Sequence, residues 1–518
     1  MRTAHTVAAV RAAEQALMAE LPAGALMQRA AAGLAAVCAS LLDHVYGARV
    51  VVLAGSGDNG GDALYAAARL AGRGAAVTAI AAGSQLHEAG AAELRARGGR
   101  IIPASGGAAG SGAAAGSGGA GNQQLSESAR QAIAAANLII DGLTGIGGQG
   151  GLREPAAALA VVTQDARADG AVVVAVDLPS GIDADTGEVR GSAIQADVTV
   201  TFGTIKPGLL IDPGASHAGT TELVDIGLDP YLAEPAVLSL QADDVTALLP
   251  RPDAESDKYR RGVLGLVAGS DEYTGAAVLS CGGAIHGGAG MVRFVSADVA
   301  VSVVRQHWPE AVLTTYDPAR PGDAVITAGR VQAWTAGPGI GTGPEAVAIL
   351  TAVLASDVPV LVDADGLTVL AANKDLLKRA VPVLITPHAG ELARLLSADR
   401  ADIEARRLHY VRAAAAQLGI TVLLKGSTTV IAGPDASQPV LVNSTGTSWL
   451  ATAGSGDVLS GLAGSLLAQG LDPAHAAAAG AYLHGMAGRL AARGAPIGAA
   501  DLLAAIPAAI RVVTAGDS

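Results

Sequence analysis

The sequence has 518 residues, a length that suits two domains of ordinary size. Hydrophobic residues make up 50% of it and aromatic residues only 3%, so the core is built mainly from Ala, Val, Leu and Ile. The formal net charge is −13 and no dense run of Lys or Arg occurs. Nucleic acid and anionic membranes are therefore excluded as partners, because both require a basic surface.

The two cysteines, Cys38 and Cys281, are far apart and belong to no metal-binding or redox motif. We expect buried free thiols and a cytoplasmic location. The N-terminal segment carries Arg11 and Glu14 inside an apolar pattern, which indicates an amphipathic helix rather than a signal peptide. The uncharged stretch at residues 458–471 is too short and too rich in Gly and Ser to span a bilayer, so we expect a soluble protein.

In the first half of the chain, apolar strands alternate with helices. Two Ala-rich helices are expected within residues 1–40, and a further helix around residues 62–70. Strands are predicted at residues 49–54, 76–81, 137–141, 171–177 and 198–202. This alternation predicts a parallel sheet covered by helices on both faces. Residues 103–121 are almost entirely Ser, Gly and Ala, which predicts a flexible insertion with no fold of its own.

The pattern breaks near residues 229–235 and a second unit begins. Strands are predicted at residues 263–268, 331–336, 358–363, 383–386 and 421–425, again alternating with Ala-rich helices. We therefore predict an α/β protein of two three-layer αβα domains, at residues 1–233 and 234–518.

A Gly-rich turn at residues 55–62 follows the first buried strand and satisfies the pattern GxGxxG. A dehydrogenase that binds a dinucleotide would also need an acidic residue at the end of the next strand, to bind the ribose. Residues 79–83 contain none, which argues against that class.

Two other strands of the first half do end in an acidic residue, Asp141 and Asp177, and each is followed by a Gly-rich loop. Carboxyl ends of neighbouring parallel strands converge on the ligand crevice. Asn59, Asp141, Asp177 and Ser180 could therefore supply cation ligands and acid/base groups. The alternative is that each Asp only caps the next helix or turn.

The segments GDNGGDALYAAARL (57–70), VDLPSGIDADTG (176–187) and TFGTIKPG (201–208) resemble the N-terminal domain of the nicotinamide-nucleotide repair proteins, the NAD(P)HX epimerases. NAD(P)HX carries a hydroxyl at carbon 6 of the reduced nicotinamide ring, as an R or S epimer. The resemblance implies a Rossmann-like fold, with Asp177 as the group that moves a proton. It implies a potassium ion held by Asn59, Asp141 and Ser180. It also implies ligand contacts from Asp58, Asn59, Gly60, Gly61, Asp62, Gly145, Ile146, Gly147, Gly148, Gln149, Gly150, Gly151 and Asp177.

Some positions depart from that family's pattern or leave it open. Asp58 stands where Asn is common, and Ala63 where Gly is common. Lys206 in the TIKPG turn is a possible cation beside the ligand, although a solvated lysine is the more ordinary interpretation.

In the second half, no P-loop of the form GxxxxGK[ST] occurs. Residues 453–457 (AGSGD) instead open an apolar helix, and amides at its N-terminus form a ready anion site. Asp457 in the first turn could take a proton from a hydroxyl that attacks a phosphoryl group. The alternative is an ordinary Asp-capped helix after a Gly turn.

Other polar groups follow the neighbouring strands. Residues 425–429 (KGSTT) could hold a nucleotide through amides and hydroxyls, and Asp363 and Asp365 suit a Mg²⁺–water network. His388 and Glu391 come just after another strand, where ligands bind in such sheets.

Seven segments of the second half resemble the ribokinase-like superfamily and, within it, the ADP/ATP-dependent NAD(P)HX dehydratases. They are DKYRRG (257–262), AGSDEYTGAA (268–277), AGPGIGT (336–342), VDADGL (362–367), TPHAGE (386–391), KGSTT (425–429) and NSTGTSWLATAGSGDVLSG (443–461). Asp257, Trp449 and Ala453 depart from the usual residues. The resemblance implies contacts to the hydrated cofactor from Ala276, Gly339, His388 and Asp457. It implies contacts to the adenine nucleotide from Lys425, Gly426, Ser427, Thr428, Thr429 and Gly456.

Together the two halves predict a bifunctional repair enzyme. It would interconvert R- and S-NAD(P)HX and dehydrate the S epimer to NAD(P)H at the expense of ADP or ATP, with K⁺ and Mg²⁺ as cofactors and self-association into a homo-oligomer. One alternative is a small-molecule kinase of the ribokinase-like superfamily with a non-catalytic N-terminal binding domain. The other is an N-terminal half that serves only as a scaffold.

Overall fold

The computed structural model describes residues 1–83, 85–105, 125–148 and 150–515. The chain divides into two compact units, Thr3–Ala236, and Met1–Arg2 together with Val237–Ser518. We call them the N-terminal and the C-terminal unit. Most of the predicted insertion, residues 106–121, lies outside the described residues, as does Gln149.

The elements up to residue 236 are mostly those expected from the sequence. The strands are β1 (Arg2–Ala4), β2 (Arg49–Ala54), β3 (Ala76–Ala81), β4 (Arg100–Pro103), β5 (Leu138–Gly142), β6 (Val172–Val176), β7 (Val198–Phe202) and β8 (Thr220–Val224). The α-helices are α1 (Val7–Met18), α2 (Ala25–Ser40), α3 (Asp58–Ala71), α4 (Glu88–Ala96), α5 (Glu127–Ala134), α6 (Ala156–Ala168) and α7 (Gly214–Ala218). Short 3-10 helices occur at Pro207–Leu209 and Asp229–Tyr231.

The sheet of the N-terminal unit has the order β4-β3-β2-β5-β6-β7-β8, and all its pairs are parallel. The order reverses between β2 and β5, and ligands of such sheets bind beyond the carboxyl ends of the strands at this point. Gly55, directly after β2, has no room for a side chain, because a Cβ there would lie 1.9 Å from the carbonyl oxygen of Leu143.

The first residues of the predicted insertion are folded, which corrects that expectation. Pro103 belongs to β4, which pairs with β3, and Ser105 forms a bridge with Leu125. The β4 strand therefore extends into the Ser/Gly/Ala segment by the pairing of its backbone, which composition does not reveal.

The C-terminal unit contains ten strands among the residues that the structure describes from 237 onward. They are β9 (Val237–Ser239), β10 (Val263–Val267), β11 (Met291–Ser296), β12 (Val312–Thr315), β13 (Ala333–Ala336), β14 (Val360–Val362), β15 (Val383–Ile385), β16 (Thr421–Leu424), β17 (Thr429–Ala432) and β18 (Val440–Asn443). The α-helices are α8 (Ala242–Leu248), α9 (Thr274–His286), α10 (Asp298–His307), α11 (Pro321–Thr327), α12 (Pro344–Leu354), α13 (Asp365–Ala372), α14 (Ala389–Leu396), α15 (Arg400–Ala405), α16 (Arg407–Leu418), α17 (Ser455–Ala468), α18 (Pro473–Ala492) and α19 (Ala499–Thr514). Further 3-10 helices occur at Lys374–Leu377 and Ser448–Leu450.

These strands form one sheet in the order β9-β18-β17-β16-β15-β14-β13-β10-β11-β12. The strands from β16 to β12 pair in parallel, whereas β17 is antiparallel to both β16 and β18. The predicted parallel sheet is therefore extended by a hairpin. Its tight turn, residues 425–428, replaces the helical crossover that a parallel connection needs.

Helix α17 is the central helix of this unit and packs closely against α9. A Cβ at Gly461 would lie 2.0 Å from the carbonyl oxygen of Ser280, and one at Gly283 would lie 2.4 Å from that of Val458. Glycine at both positions allows the two backbones to approach, which holds the first turns of α17 against the middle of α9. Among the helices of residues 1–83, 85–105, 125–148 and 150–515, none has both the length and the apolar composition to cross a membrane.

Candidate active sites

Asp177 follows β6 directly and is held in one orientation by its neighbours. Its backbone lies in the left-handed region with φ of 68°, a costly conformation for a non-glycine residue that tertiary contacts must maintain. Its Oδ1 accepts hydrogen bonds from Thr201 Oγ1 at 3.0 Å and from the amide of Phe202 at 3.2 Å, and forms an ion pair with Lys206 Nζ. The carboxylate is 6% exposed and is fixed from one side.

Lys206 is buried, so the interpretation as a solvated lysine is wrong. Only 1% of its surface is exposed. Besides Asp177, Nζ donates to Thr201 Oγ1 and to the carbonyl oxygen of Phe202, both at 3.1 Å. A buried ammonium must be paired and hydrogen-bonded, and here all three of its protons have acceptors.

A cavity of about 570 Å³ adjoins Phe202, whose amide binds Asp177, and is lined mainly by residues of α1, α2 and α3. It combines apolar walls with three carboxyl groups, from Glu14, Asp58 and Asp62. Burial, together with the neighbouring charges of Asp177, Asp58 and Glu14, raises the pKa of Asp62 well above its ordinary value. Burial and Asp177 also raise the pKa of Glu14. Burial and the neighbouring like charges both oppose ionisation, so these two carboxyl groups keep their protons to a higher pH than free carboxyl groups do.

The residues predicted to hold potassium meet around Thr144. Ser180 donates to both oxygens of Asp141, from its amide at 2.8 Å and its hydroxyl at 2.7 Å. The amide of Thr144 donates to Ser180 Oγ at 2.9 Å, and Asn59 Nδ2 donates to the carbonyl oxygen of Thr144 at 3.3 Å. Burial raises the pKa of Asp141 to about 6, although the hydrogen bonds from Ser180 oppose that rise.

The glycines of the predicted loop at residues 145–151 contact the protein itself at three places. A Cβ at Gly145 would lie 2.5 Å from Asn59 Oδ1, and one at Gly147 would lie 2.5 Å from Arg11 Nη2. One at Gly151 would lie 1.8 Å from the carbonyl oxygen of Arg190. The loop therefore packs beside Asn59, while the 570 Å³ cavity is lined by other residues, including Asp58 and Asp62.

The C-terminal unit contains a larger cavity, of about 790 Å³, beside β16 and the N-terminus of α17. Six residues predicted to bind a ligand line it, namely His388, Lys425, Gly426, Ser427, Thr429 and Gly456. The predicted contact Thr428 is instead buried. Ala276 and Gly339 lie together elsewhere, since a Cβ at Gly339 would be 2.8 Å from that of Ala276.

Lys425 lies at the centre of a charged network beneath this cavity. Its Nζ donates to Asp363 Oδ1 at 2.8 Å and lies 3.7 Å from Glu391 Oε2. Asp363 also accepts a short hydrogen bond from Ser460 Oγ. Burial lowers the pKa of Lys425, but Asp363 and Glu391 outweigh it and the net shift is upward. The lysine therefore stays charged where an anionic ligand would bind.

Asp457 lies in the first turn of α17. Burial raises its pKa to about 7, with a further rise from Asp363 and an opposing effect of Lys425. A carboxyl group that titrates near neutral pH is suited to general-base catalysis.

His388 caps helix α14. Its Nδ1 accepts hydrogen bonds from the amides of Gly390 at 3.0 Å and Glu391 at 3.3 Å, while the His388 amide donates to Glu391 Oε2 at 2.7 Å. Burial lowers the pKa of His388, so its neutral form is favoured. The cap fixes Nδ1 as an acceptor and leaves Nε2 near Glu391, at 3.6 Å from Oε1.

Sequence reasoning missed several groups of these sites. Glu14 lies in the first long helix and His484 in an Ala-rich helix, and neither belongs to a recognisable motif. His484 lines the 790 Å³ cavity, and burial lowers its pKa to about 4. Arg407, which binds the turn at residues 425–428, gave no signal either, because its role depends on a contact between α16 and a distant hairpin.

Comparison with known proteins matches both units. Residues 23–208 match a family model described as the N-terminus of YjeF-related proteins, and residues 264–508 match one described as NAD(P)H-hydrate dehydratase. The chain is 46% identical over 92% of its length to the bifunctional NAD(P)H-hydrate repair enzyme of Mycobacterium leprae, and covers 91% of that protein. The chain belongs to the family of bifunctional NAD(P)H-hydrate repair enzymes. The repair enzyme of Mycobacterium tuberculosis is likewise 46% identical, with 92% of each chain covered.

A solved structure shows a related dehydratase with nucleotide. The ADP/ATP-dependent NAD(P)H-hydrate dehydratase of Bacillus subtilis, co-crystallised with ATP and Mg²⁺, is 31% identical and superimposes with a TM-score of 0.48, covering 53% of this chain and 97% of its own. The matches to the family models and to the repair enzymes confirm the predicted family and the predicted enzyme, an NAD(P)HX epimerase joined to an NAD(P)HX dehydratase. They favour it over the small-molecule kinase.

Proposed function

We propose that the C-terminal unit, residues 234–518 in the predicted division, binds ADP or ATP in the 790 Å³ cavity and uses Asp457 as the base that activates S-NAD(P)HX. The observation that carries this assignment is the position of Asp457, in the turn of α17 whose residues Ser455 and Gly456 line the cavity. Its pKa of about 7 leaves a substantial fraction of the carboxylate free to accept a proton.

The chemistry follows from those groups. Asp457 takes the proton of the ring hydroxyl while the hydroxyl oxygen attacks the terminal phosphoryl group, and the nucleotide leaves with one phosphate fewer. The lone pair of the ring nitrogen then expels inorganic phosphate from carbon 6. Loss of a proton from carbon 5 restores the double bond of NAD(P)H. A poor leaving group has become a good one, which is the purpose of the nucleotide.

The other predicted residues divide between the two ligands. Lys425, Gly426, Ser427, Thr428, Thr429 and Gly456 are assigned to the nucleotide, and Ala276, Gly339 and His388 to the hydrated cofactor. The cavity lining supports the nucleotide set in five of six positions, the exception being the buried Thr428.

Mg²⁺ fits this unit as a companion of the nucleotide phosphates. Asp363 is a poor direct ligand, because Lys425 and Ser460 already bind its two oxygens. Within the residues that the structure describes, no group of three or more His, Cys, Asp or Glu side chains could hold a metal. Mg²⁺ commonly keeps several waters and binds through substrate phosphates, where it neutralises their charge.

For the N-terminal unit, residues 1–233 in the predicted division, we propose that Asp177 moves the proton that interconverts R- and S-NAD(P)HX. Removal of the carbon-6 hydroxyl proton, with protonation of the ring nitrogen, opens the ring to an aldehyde. Rotation and closure on the other face give the opposite epimer. Asp177 is fixed by Lys206 and Thr201, and its charge contributes to the raised pKa values of Asp62 and Glu14 nearby. The ligand contacts predicted at residues 58–62 and 145–151 complete this proposal.

Asn59, Asp141 and Ser180 are assigned to potassium, and their atoms fit it. Asn59 Oδ1 lies beside Gly145, and Ser180 Oγ lies beside Thr144. Asp141 Oδ1 accepts both the Ser180 hydroxyl and the Leu143 amide, so Oδ2, which accepts the Ser180 amide, is the carboxylate oxygen with a lone pair to offer a cation. Potassium prefers oxygen ligands of this kind, and its charge would favour the ionised form of Asp141.

The test of the proposed function follows recovery of NADH absorbance from mixed-epimer NADHX with ADP, ATP or no nucleotide. Complete, nucleotide-dependent recovery, faster than spontaneous epimerisation allows, supports both activities. Recovery of only the S fraction would reduce the N-terminal unit to a scaffold. A stable phosphorylated product in place of NADH would support the small-molecule kinase instead.

We further propose that the protein acts in the cytoplasm as a homo-oligomer. The location is supported by Cys38 and Cys281, which are both free and buried. The assembly rests on the class of Ala/Gly-rich α/β enzymes, and light scattering of the purified chain measures it directly.

A further inference from the structure

The hairpin turn that lines the nucleotide cavity has an arginine beneath it. Residues 425–428 connect β16 to the antiparallel β17, and Arg407 lies at the first position of α16. Arg407 is only 5% exposed. Its Nη2 lies within hydrogen-bond distance of three carbonyl oxygens of the turn, those of Leu424 at 3.2 Å, Lys425 at 2.9 Å and Thr428 at 3.0 Å, so one of its two hydrogens is shared between two acceptors. One guanidinium group therefore binds both ends of the turn.

These contacts determine which way the amides of the turn point. In a trans peptide the carbonyl oxygen and the amide hydrogen lie on opposite sides of the bond. The carbonyl of Leu424 points to Arg407, and the amide of Lys425 in the same peptide donates to the Pro387 carbonyl instead, at 2.8 Å. By the same geometry, binding of the Lys425 carbonyl turns the Gly426 amide away from Arg407. Gly426 lines the cavity, so its amide is directed to the side where a phosphate would bind.

Gly426 also shows how closely the arginine fits. A Cβ at this position would lie 2.2 Å from Arg407 Nη2 and 2.6 Å from its Cζ. Any side chain at residue 426 would therefore displace the guanidinium group. The two residues therefore act together: because Gly426 has no side chain, the guanidinium group of Arg407 fits against the turn and orients it.

We infer that Arg407 is a positioning residue for the adenine nucleotide: it does not contact the ligand, but it orients the 425–428 turn so that the Gly426 amide binds a phosphate. This inference rests on the proposed function of the cavity. Preorganised amides bind an anion without the cost of reorienting the backbone, so loss of Arg407 affects nucleotide affinity more than the chemical step.

The test uses the full chain and S-NADHX, with the KM for ADP and ATP and the kcat measured from NADH absorbance. For Arg407→Met we expect the KM for nucleotide to rise about tenfold, as loss of one to two hydrogen bonds to an anion predicts, with kcat changed less than about threefold. Arg407→Lys keeps the charge and one contact, so its KM for nucleotide should lie between that of the wild type and that of Arg407→Met. An unchanged KM in folded Arg407→Met would overturn the inference.

The matched control is Arg412→Met on the same helix. Arg412 also donates to a carbonyl, that of Ala436 at 3.1 Å, but in a turn away from the cavity. Its nucleotide KM should stay within about twofold of wild type. Equal effects of the two substitutions would show a general role of α16 in folding and would also overturn the inference.

A second variant keeps the inference testable if Arg407→Met does not fold. Gly426→Ala should raise the nucleotide KM in the same way, and in combination with Arg407→Lys its effect should be less than additive, because both disturb one contact. Additive effects on the nucleotide KM would contradict the view that both substitutions disturb the same contact. The conversion of R-NADHX by the N-terminal unit reports in the same sample whether that unit is folded. Wild-type enzyme without nucleotide-dependent dehydration would refute the proposed function, and not this inference alone.

Discussion

In each unit a lysine is paired with a buried aspartate, but the two pairs treat the proposed catalytic carboxylate in opposite ways. In the N-terminal unit the lysine binds the proposed catalytic residue itself, because Lys206 pairs with Asp177. In the C-terminal unit Lys425 pairs with the neighbouring Asp363 at 2.8 Å, and burial keeps the pKa of Asp457 at about 7. One site thus presents a carboxylate fixed by a cation. The other presents a base whose protonation changes near neutral pH.

The largest expected effect is the loss of one activity when one of the two proposed catalytic carboxylates is removed. We expect Asp457→Asn to lower dehydration of S-NADHX by about 10²-fold to 10⁴-fold, because the amide cannot accept the hydroxyl proton. Asp177→Asn should lower epimerisation of R-NADHX by a similar factor and leave dehydration of the S epimer intact. Each activity serves as the folding control for the other variant. Wild-type epimerisation in Asp177→Asn, corrected for the spontaneous rate, would remove the proton-transfer role of this residue.

The next effect concerns the buried pair of the N-terminal unit. Lys206→Met leaves the Asp177 carboxylate buried without its cation, which should destabilise the unit by about 3–5 kcal/mol. Thermal or urea unfolding measures this loss, and epimerisation should fall with it. The matched control is Lys378→Met, whose ammonium is 80% exposed and pairs with Asp375 at the surface. Solvent screens a surface pair of this kind, so it contributes little to stability, and equal losses in the two variants would contradict the buried pairing.

A smaller effect is expected on the pH dependence of dehydration. Asp457 acts as a base only when deprotonated, so kcat should rise with pH through about 7 and then level off. The negative charge of Asp363 contributes to the raised pKa of Asp457, and Lys425 opposes it. Asp363→Asn removes the first effect and releases Lys425, so the rise in kcat should move to lower pH. A profile that keeps its midpoint in this variant would contradict the coupling.

The sequence predicted much of the framework of these sites, because it depends on short-range patterns. Asp141 and Asp177 are recognisable as acidic ends of apolar strands, and Asp457 as the acidic residue in the first turn of a helix after a Gly-rich turn. What it did not predict depends on which groups pair once the chain has folded. The burial of Lys206, the antiparallel hairpin at β17 and the three carbonyls bound by Arg407 each require the folded chain. A lysine in a turn looks the same in sequence whether it is solvated or paired.

The predicted ligand contacts also differ in how well a contiguous motif could identify them. Residues 425–429 occur as one segment, and four of the five line one cavity, because neighbours in a turn share one surface. Residues 58–62 belong to a helix, so only Asp58 and Asp62 face the cavity while Asn59 turns towards Thr144. A helical segment distributes consecutive side chains around its axis, which no contiguous motif can represent.

The smallest effect on activity is expected at Asp62, and it completes the contrast with Asp177. The raised pKa of Asp62 means that the folded protein holds its proton more tightly than the unfolded chain does. The stability contributed by that proton is fully present below the pKa of the unfolded chain and is lost as pH rises towards the folded value. Asp62→Asn keeps the size of the side chain and removes its titration, so epimerisation should change only about threefold or less. Its melting temperature should fall less with rising pH than that of the wild type or of the exposed control Asp165→Asn. If all three decline in parallel, the pKa of Asp62 is not raised in the folded protein, and the proposed effect of burial and of the Asp177 charge on this carboxyl group is wrong.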